Sequence, residues 1–175
     1  MDVDIVPIGN ISGPVKREAS RALRSVFDFD VFVRDTEPIP DSAYDASRDQ
    51  YRAESLIDLV STAGRAEKNL GLTEADLFYS QRNFVFGLAY LRGAAGIVST
   101  NRLRMQSDGG FSNRSDDDVF ADRVRTEVTH EIGHTLGLEH CDDERCVMHF
   151  SPTVRDVDQK DEHLCGTCAK SLDPL

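Results

Sequence analysis

Residues 130–141 read HEIGHTLGLEHC, and the chain continues DDERCVMHF to residue 150. His130 and His134 are four apart, so on a helix they stand one turn from each other and both imidazoles can reach a single ion. Gly137 suits the left-handed position at which helices commonly end, and a chain that turns back there can bring His140 to the same ion. Three neutral imidazoles leave one tetrahedral position open, which is the catalytic rather than the structural pattern for zinc. Glu131 projects beside the ion without being needed as a ligand. A carboxylate in that place can act as general base towards water and return the proton to a leaving amine. With this chain's own residue frequencies, H-E-x-x-H-x-x-G-x-x-H arises by chance in roughly one such sequence in 10⁵. Scattered histidines on a solvated helix are therefore a poor account. Peptide hydrolysis with Glu131 as general base suits the arrangement best, and a non-catalytic zinc- or peptide-binding protein is the competing class.

The helix itself is legible upstream. Phe120, Val124, Val128, Ile132 and Leu136 recur every four positions, a stripe that packs one side while His130 and His134 face another. Earlier segments alternate. VDIVPIG (3–9) reads as a strand, and SGPVKREASRALRSVF (12–27) as a helix behind a Ser12 cap. FDFDVFVRD returns to period two, TEPIPDSAYDAS is a loop, and YRAESLIDLVSTAGRAEKNLGL is a second helix stopping near Gly71. ADLFYS, NFVFGLAYLRG and AGIVST supply a third, fourth and fifth strand, and RMQSDGGFSNRSDDD a surface connection. This order predicts an α+β fold, a mixed five-stranded sheet covered by helices.

Composition limits the function classes. The 175 residues carry 31 acidic and 20 basic side chains, a net charge of −11, and Arg outnumbers Lys sixteen to four. No basic stripe exists for a phosphate backbone, so no nucleic-acid partner is expected. The Asp and Arg bias points to a surface built to stay hydrated in high salt, and hence to a haloarchaeal source, with an ordinary acidic cytosolic protein as the alternative. There is no apolar run near the ~18 residues of a spanning helix and no export signal at the start. The expectation is a cytoplasmic monomer with no membrane partner, acting on peptides or proteins.

HEIGHTLGLEH with Met148 eight residues on resembles the metzincin clan of zinc peptidases, in which such a methionine lies in a turn beneath the metal. Cys141 directly after His140, then Cys146, Met148 and Cys165-Gly-Thr-Cys168, resemble the archaemetzincin family in particular, as do NFVFGLAY and the YDAS segment. The resemblance implies a twisted sheet above an active-site helix and a smaller C-terminal part below the zinc, dividing the chain at 1–137 and 138–175. It also implies an edge strand lining the cleft, for which AGIVST, with Gly96, Ile97, Val98 and Ser99, is the candidate; its alternative is an interior strand.

Cys141, Cys146, Cys165 and Cys168 admit two readings. Disulfides are unusual in a chain without an export signal, whereas two thiolate pairs fit a closed structural zinc site, giving two zinc ions per chain. His149 and His163 match no ligand spacing, and Tyr79 and Tyr90 sit in apolar stretches that suggest core. Phe150 stands where some metzincins carry a tyrosine that reaches the metal, and it has no hydroxyl to offer.

Overall fold

The computed structural model of the chain describes residues 1–106 and 113–172. Its framework is a five-stranded sheet of β1 (Asp2–Ile8), β2 (Asp30–Val33), β5 (Lys68–Thr73), β7 (Gly87–Ala89) and β8 (Ala95–Ser99). The order is β2-β1-β5-β8-β7, parallel except where β7 meets β8. A small second sheet joins β3 (Tyr44–Asp45), β4 (Gln50–Arg52) and β6 (Leu77–Phe78).

Both faces of the large sheet are covered, which is why its central strands read as nearly continuous apolar runs. Alternate residues Val3, Ile5, Leu70, Leu72 and Val98 pack against α1 (Gly13–Phe27) and α3 (Asp116–Thr135). Val6, Ile8 and Ile97 face α2 (Ala53–Ala63), which contributes Leu56, Ile57 and Val60. A third, smaller cluster of Leu138, Cys146, Val147, Met148 and Cys168 lies in the C-terminal segment with α5 (Gly166–Ser171), while Val154 and Val157 of α4 (Val154–Gln159) join the main core. Arg125 on α3 pairs with Glu18, Asp122 and Glu162, tying α1 and the C-terminal segment to the long helix. No helix among the described residues is long and apolar enough to cross a membrane.

The mixed sheet with covering helices is as expected, but the second helix ends at Ala63, and 68–73 is the central strand β5. Gly64 caps the helix, its amide donating to Val60, and the rest of the cause is tertiary. The buried Asp4 carboxylate accepts hydrogen bonds from the Arg65 and Ala66 amides at 2.7 and 3.0 Å, capturing the chain as it leaves the helix. Beyond it, Leu70 and Leu72 alternate with Gly71, whose missing Cβ leaves room for Val60 and Ile97. The expected strand ADLFYS contributes only Leu77 and Phe78, to the small sheet. The expected surface connection falls partly outside the described residues.

β8 is interior. It is hydrogen-bonded to β5 on one side and β7 on the other, and all five residues are buried. Gly96, Ile97, Val98 and Ser99 thus have no free backbone edge to pair with a substrate. The edge belongs to β7. Phe86 accepts from the Ser99 amide at 2.8 Å, so in an alternating antiparallel ladder Leu88 also faces β8 while Gly87 and Ala89 turn their backbone groups outward. Val85 is covered on that outer side by Leu77. Tyr90, expected in the core, is 45% exposed at the hairpin turn.

Candidate active site

Helix α3 starts at a Ser115 cap with Asp116, Asp117 and Asp118 in its first turn, where negative charge favours the helix dipole. It ends as the glycine suggested. Gly137 has φ +97°, its amide donates to His134 and the Leu138 amide donates to Gly133, so two terminal carbonyls are satisfied and the chain reverses. Lys68 adds a third tie, donating to the carbonyls of Thr135 and Gly93.

The reversal brings His140 to His130 and His134. One ring nitrogen from each lies within 4.8 Å of the others. His130 Nδ1 lies 2.8 Å from the Val147 carbonyl, and His134 Nδ1 lies 2.7 Å from that of Leu138. A carbonyl only accepts, so both Nδ1 atoms carry the proton and both Nε2 atoms present lone pairs, 3.1 Å apart. Imidazole nitrogens sharing one tetrahedral zinc stand roughly 3.3 Å apart, which these rings match. Burial holds His130 well below the usual imidazole range and lowers His134, with nearby Lys160 adding to the effect. His140 is pushed down to about 4, by burial first and then by His134. All three are therefore neutral near pH 7, as metal ligands must be.

Met148 is fully buried beneath α3, its thioether filling the space left by the absent side chain of Gly133. Its neighbour Val147 supplies the carbonyl that orients His130. Glu131 is 5% exposed, beside the edge strand. Burial, reinforced by the charge of Glu127, raises its carboxyl well above the usual range.

The four cysteines converge a short distance away. Their sulfurs lie within 4.8 Å of one another and all four are free thiols. Cys141 Sγ and Cys165 Sγ are 3.8 Å apart, as for thiolates about 2.3 Å from one tetrahedral zinc. Amides point at the sulfurs: Cys165 N donates to Cys146 and Cys168 N to Cys165. The latter contact pulls the Cys165 thiol down to about 7, while burial raises Cys141 and Cys168. His149 Nδ1 meets the Cys141 carbonyl at 2.7 Å and is a structural link to this segment.

A cleft of about 720 Å³ opens over the histidines, walled by residues 81–89 and by Phe150, Ser151 and Pro152. Three of its features carried no clear signal in the sequence. Glu127, one turn before Glu131, is held by Lys160 Nζ at 3.3 Å, and that ammonium also donates to the His149 carbonyl. Arg82 lies over the Phe150 ring at 4.6 Å. Gly87 abuts Glu131; a glycine inside a strand does signal a close approach, though not by what.

The profile of Peptidase family M54 matches residues 22–174. The chain belongs to this family, the archaemetzincins. An archaemetzincin of Natronomonas pharaonis is 60% identical over 98% of this chain and 99% of its own length, and that of Methanocaldococcus jannaschii is 36% identical over 98% and 93%. The crystal structure of the Archaeoglobus fulgidus archaemetzincin, complexed with malonate, superposes with a TM-score of 0.84 at 34% identity, covering 97% of this chain and 99% of that one. The Methanopyrus kandleri structure gives 0.83 at 32%, covering 98% and 93%. The archaemetzincin fold and a zinc-dependent metallopeptidase function, both expected from the motif, hold.

Proposed function

We propose that His130, His134 and His140 hold the catalytic zinc and that Glu131 is the general base and acid of peptide-bond hydrolysis. The observation that carries this reading is the pair of Nδ1-to-carbonyl hydrogen bonds that leaves two Nε2 lone pairs facing each other at 3.1 Å, with the buried Glu131 alongside. When bound, zinc supplies a Lewis acid for the scissile carbonyl and acidifies water. Glu131 takes the proton of the attacking water on a carboxylate oxygen and delivers it to the departing nitrogen. Gly87 and Ala89, outward-facing on the edge of β7, are the backbone groups to which an extended peptide can add as a further strand.

Met148 acts as the packed floor of the site. The thiols Cys141, Cys146, Cys165 and Cys168 fit a closed structural zinc, giving two ions per chain. Elemental analysis of fresh protein is expected to give two; one ion together with an absence of titratable thiols sinks the structural site. We read 1–137 and 138–175 as two lobes meeting at the cleft, and the protein as a cytoplasmic monomer. The acidic surface, seen beside relatives from haloarchaea, supports a chain adapted to molar salt; equal stability in dilute buffer and in molar salt contradicts that.

The decisive experiment is digestion of a mixed peptide library by zinc-loaded protein, read by mass spectrometry, beside Glu131→Gln. Cleavage is expected from the parent alone, with zinc content equal in both. Absence of cleavage, with equal peptide binding by both proteins, selects the non-catalytic binding module instead.

A further inference from the structure

The cleft wall that begins the β7 segment carries a cation that the hydrolytic chemistry above does not use. Arg82 is exposed, lines the cleft, and lies over the ring of Phe150, which in turn packs on His140 at 5.2 Å between centroids. The backbone beneath Arg82 is fixed from the small sheet. Arg48 donates to the Arg82 carbonyl at 2.5 Å, Gln50 donates to that of Asn83 at 2.7 Å, and the Arg82 amide donates to Tyr79 at 3.2 Å. Gln50 is itself 5% exposed. The arginine therefore projects from an anchored turn.

A guanidinium over an aromatic ring uses its face and keeps its N–H groups, which lie in its plane, for a ligand. Among the described residues Arg82 forms no ion pair, unlike Arg102 nearby, which is clamped by Asp76 at 2.8 Å. The rim's exposed carboxylate, Glu139, forms no ion pair with it either, and Glu127 is engaged by Lys160. Planar, bidentate N–H groups match a carboxylate better than any other group a peptide offers.

We propose that Arg82 is a specificity-determining residue that binds a carboxylate of the substrate, carried either by an acidic side chain or by a free C-terminus. The inference rests on the peptidase reading of this cleft. It also has a direction. In an antiparallel pairing a peptide runs from Ala89 towards Gly87; Leu77 covers the outer side of Val85, so its residues after the scissile bond leave the strand edge there, on the side of the turn bearing Arg82. The carboxylate then sits on the product that leaves as the amine.

The test uses four peptides of one sequence: C-terminal acid or amide, each with Glu or Gln two residues after the cleaved bond. Cleavage by zinc-loaded parent, Arg82→Lys and Arg82→Gln is compared, and binding of the same peptides is followed by fluorescence anisotropy in the zinc-loaded Glu131→Gln background. A hydrogen-bonded charge contact of this kind corresponds to about a 10- to 100-fold preference. The parent is expected to prefer one carboxylate form by that factor in kcat/KM and in Kd, Arg82→Gln to lose that preference, and Arg82→Lys to retain part of it. Which pair shows the preference identifies the source, side chain or terminus. Equal handling of all four peptides by the parent, or an equal loss on all four in Arg82→Gln, overturns the proposal. Failure of the peptidase reading looks different: no peptide is cut, and the binding arm still decides whether Arg82 selects carboxylates.

Discussion

Gly87 and Glu131 compete for one volume: a Cβ built on the glycine falls 2.6 Å from Glu131 Oε1 and 2.8 Å from its Cγ. The bare edge strand is what lets the carboxylate lie where it does. Gly87→Ala is expected to lower kcat by about 10- to 100-fold, because small displacements of a catalytic group are that costly, with zinc content unchanged. The same Cβ also meets the Ile97 carbonyl at 2.7 Å, so strand distortion is a rival cause. A double-mutant cycle separates them. In a Glu131→Asp background, whose shorter side chain vacates the contested space, the added methyl is expected to cost several-fold less; an equal cost in both backgrounds assigns the effect to the strand.

Lys160 and Glu127 form a buried ion pair, 0% and 4% exposed, that joins the end of α4 to the active-site helix and, through the His149 carbonyl, to the turn beneath it. Lys160→Met strands a carboxylate in the interior and is expected to destabilise the protein by ~3–5 kcal/mol. The double variant Lys160→Met, Glu127→Leu is expected to regain most of that, since removing both charges is far cheaper than removing one. Urea denaturation of the three proteins measures it, and a double variant no better than the single one contradicts the pair as the cause.

Burial raises the folded-state pKa of Glu131, which makes a pH prediction. A group whose folded pKa stands above its unfolded value adds stability at low pH and loses it as pH rises through the folded value. Glu131→Gln has no such titration. With the histidine site stripped by a chelator, its stability relative to the parent is therefore expected to increase as pH rises from about 4.5 upward. The depressed histidines act in the opposite sense, losing stability as pH falls below their unfolded range, but they are common to both proteins and cancel. Chemical denaturation across that range tests it; a pH-independent difference removes the burial argument.

The histidine site was readable because its parts are local: a four-residue step, a glycine at the helix end, a histidine three residues beyond. The central strand was not: Gly64 does cap the second helix one residue after Ala63, but what holds the departing chain and turns it into the sheet, the Asp4 carboxylate, lies some sixty residues earlier. Strand order is likewise non-local. Ala95–Ser99 and Gly87–Ala89 are both short and apolar, and only the pairing with β5 decides which has a free edge. Lys160 gave no signal, since its partner Glu127 is 33 residues away.

The histidine and cysteine clusters share backbone. Cys141 follows His140, its amide donates to the Met148 carbonyl at 3.0 Å, and its own carbonyl meets His149 Nδ1 at 2.7 Å. Cys168 touches none of the histidines in sequence, so two independent sites predict that Cys168→Ser leaves the histidine site unaltered. The shared backbone predicts otherwise. Opening the four-cysteine cluster frees Cys141 to move, and with it the segment that carries His140. Groups that orient ligands commonly change metal affinity by 10- to 100-fold, and zinc at the histidine site is expected to bind on the order of tenfold more weakly in Cys168→Ser. Metal titration of the variant decides it, with far-UV circular dichroism checking that the sheet and α3 are intact. Unchanged affinity at the histidines makes the cysteine cluster an independent staple.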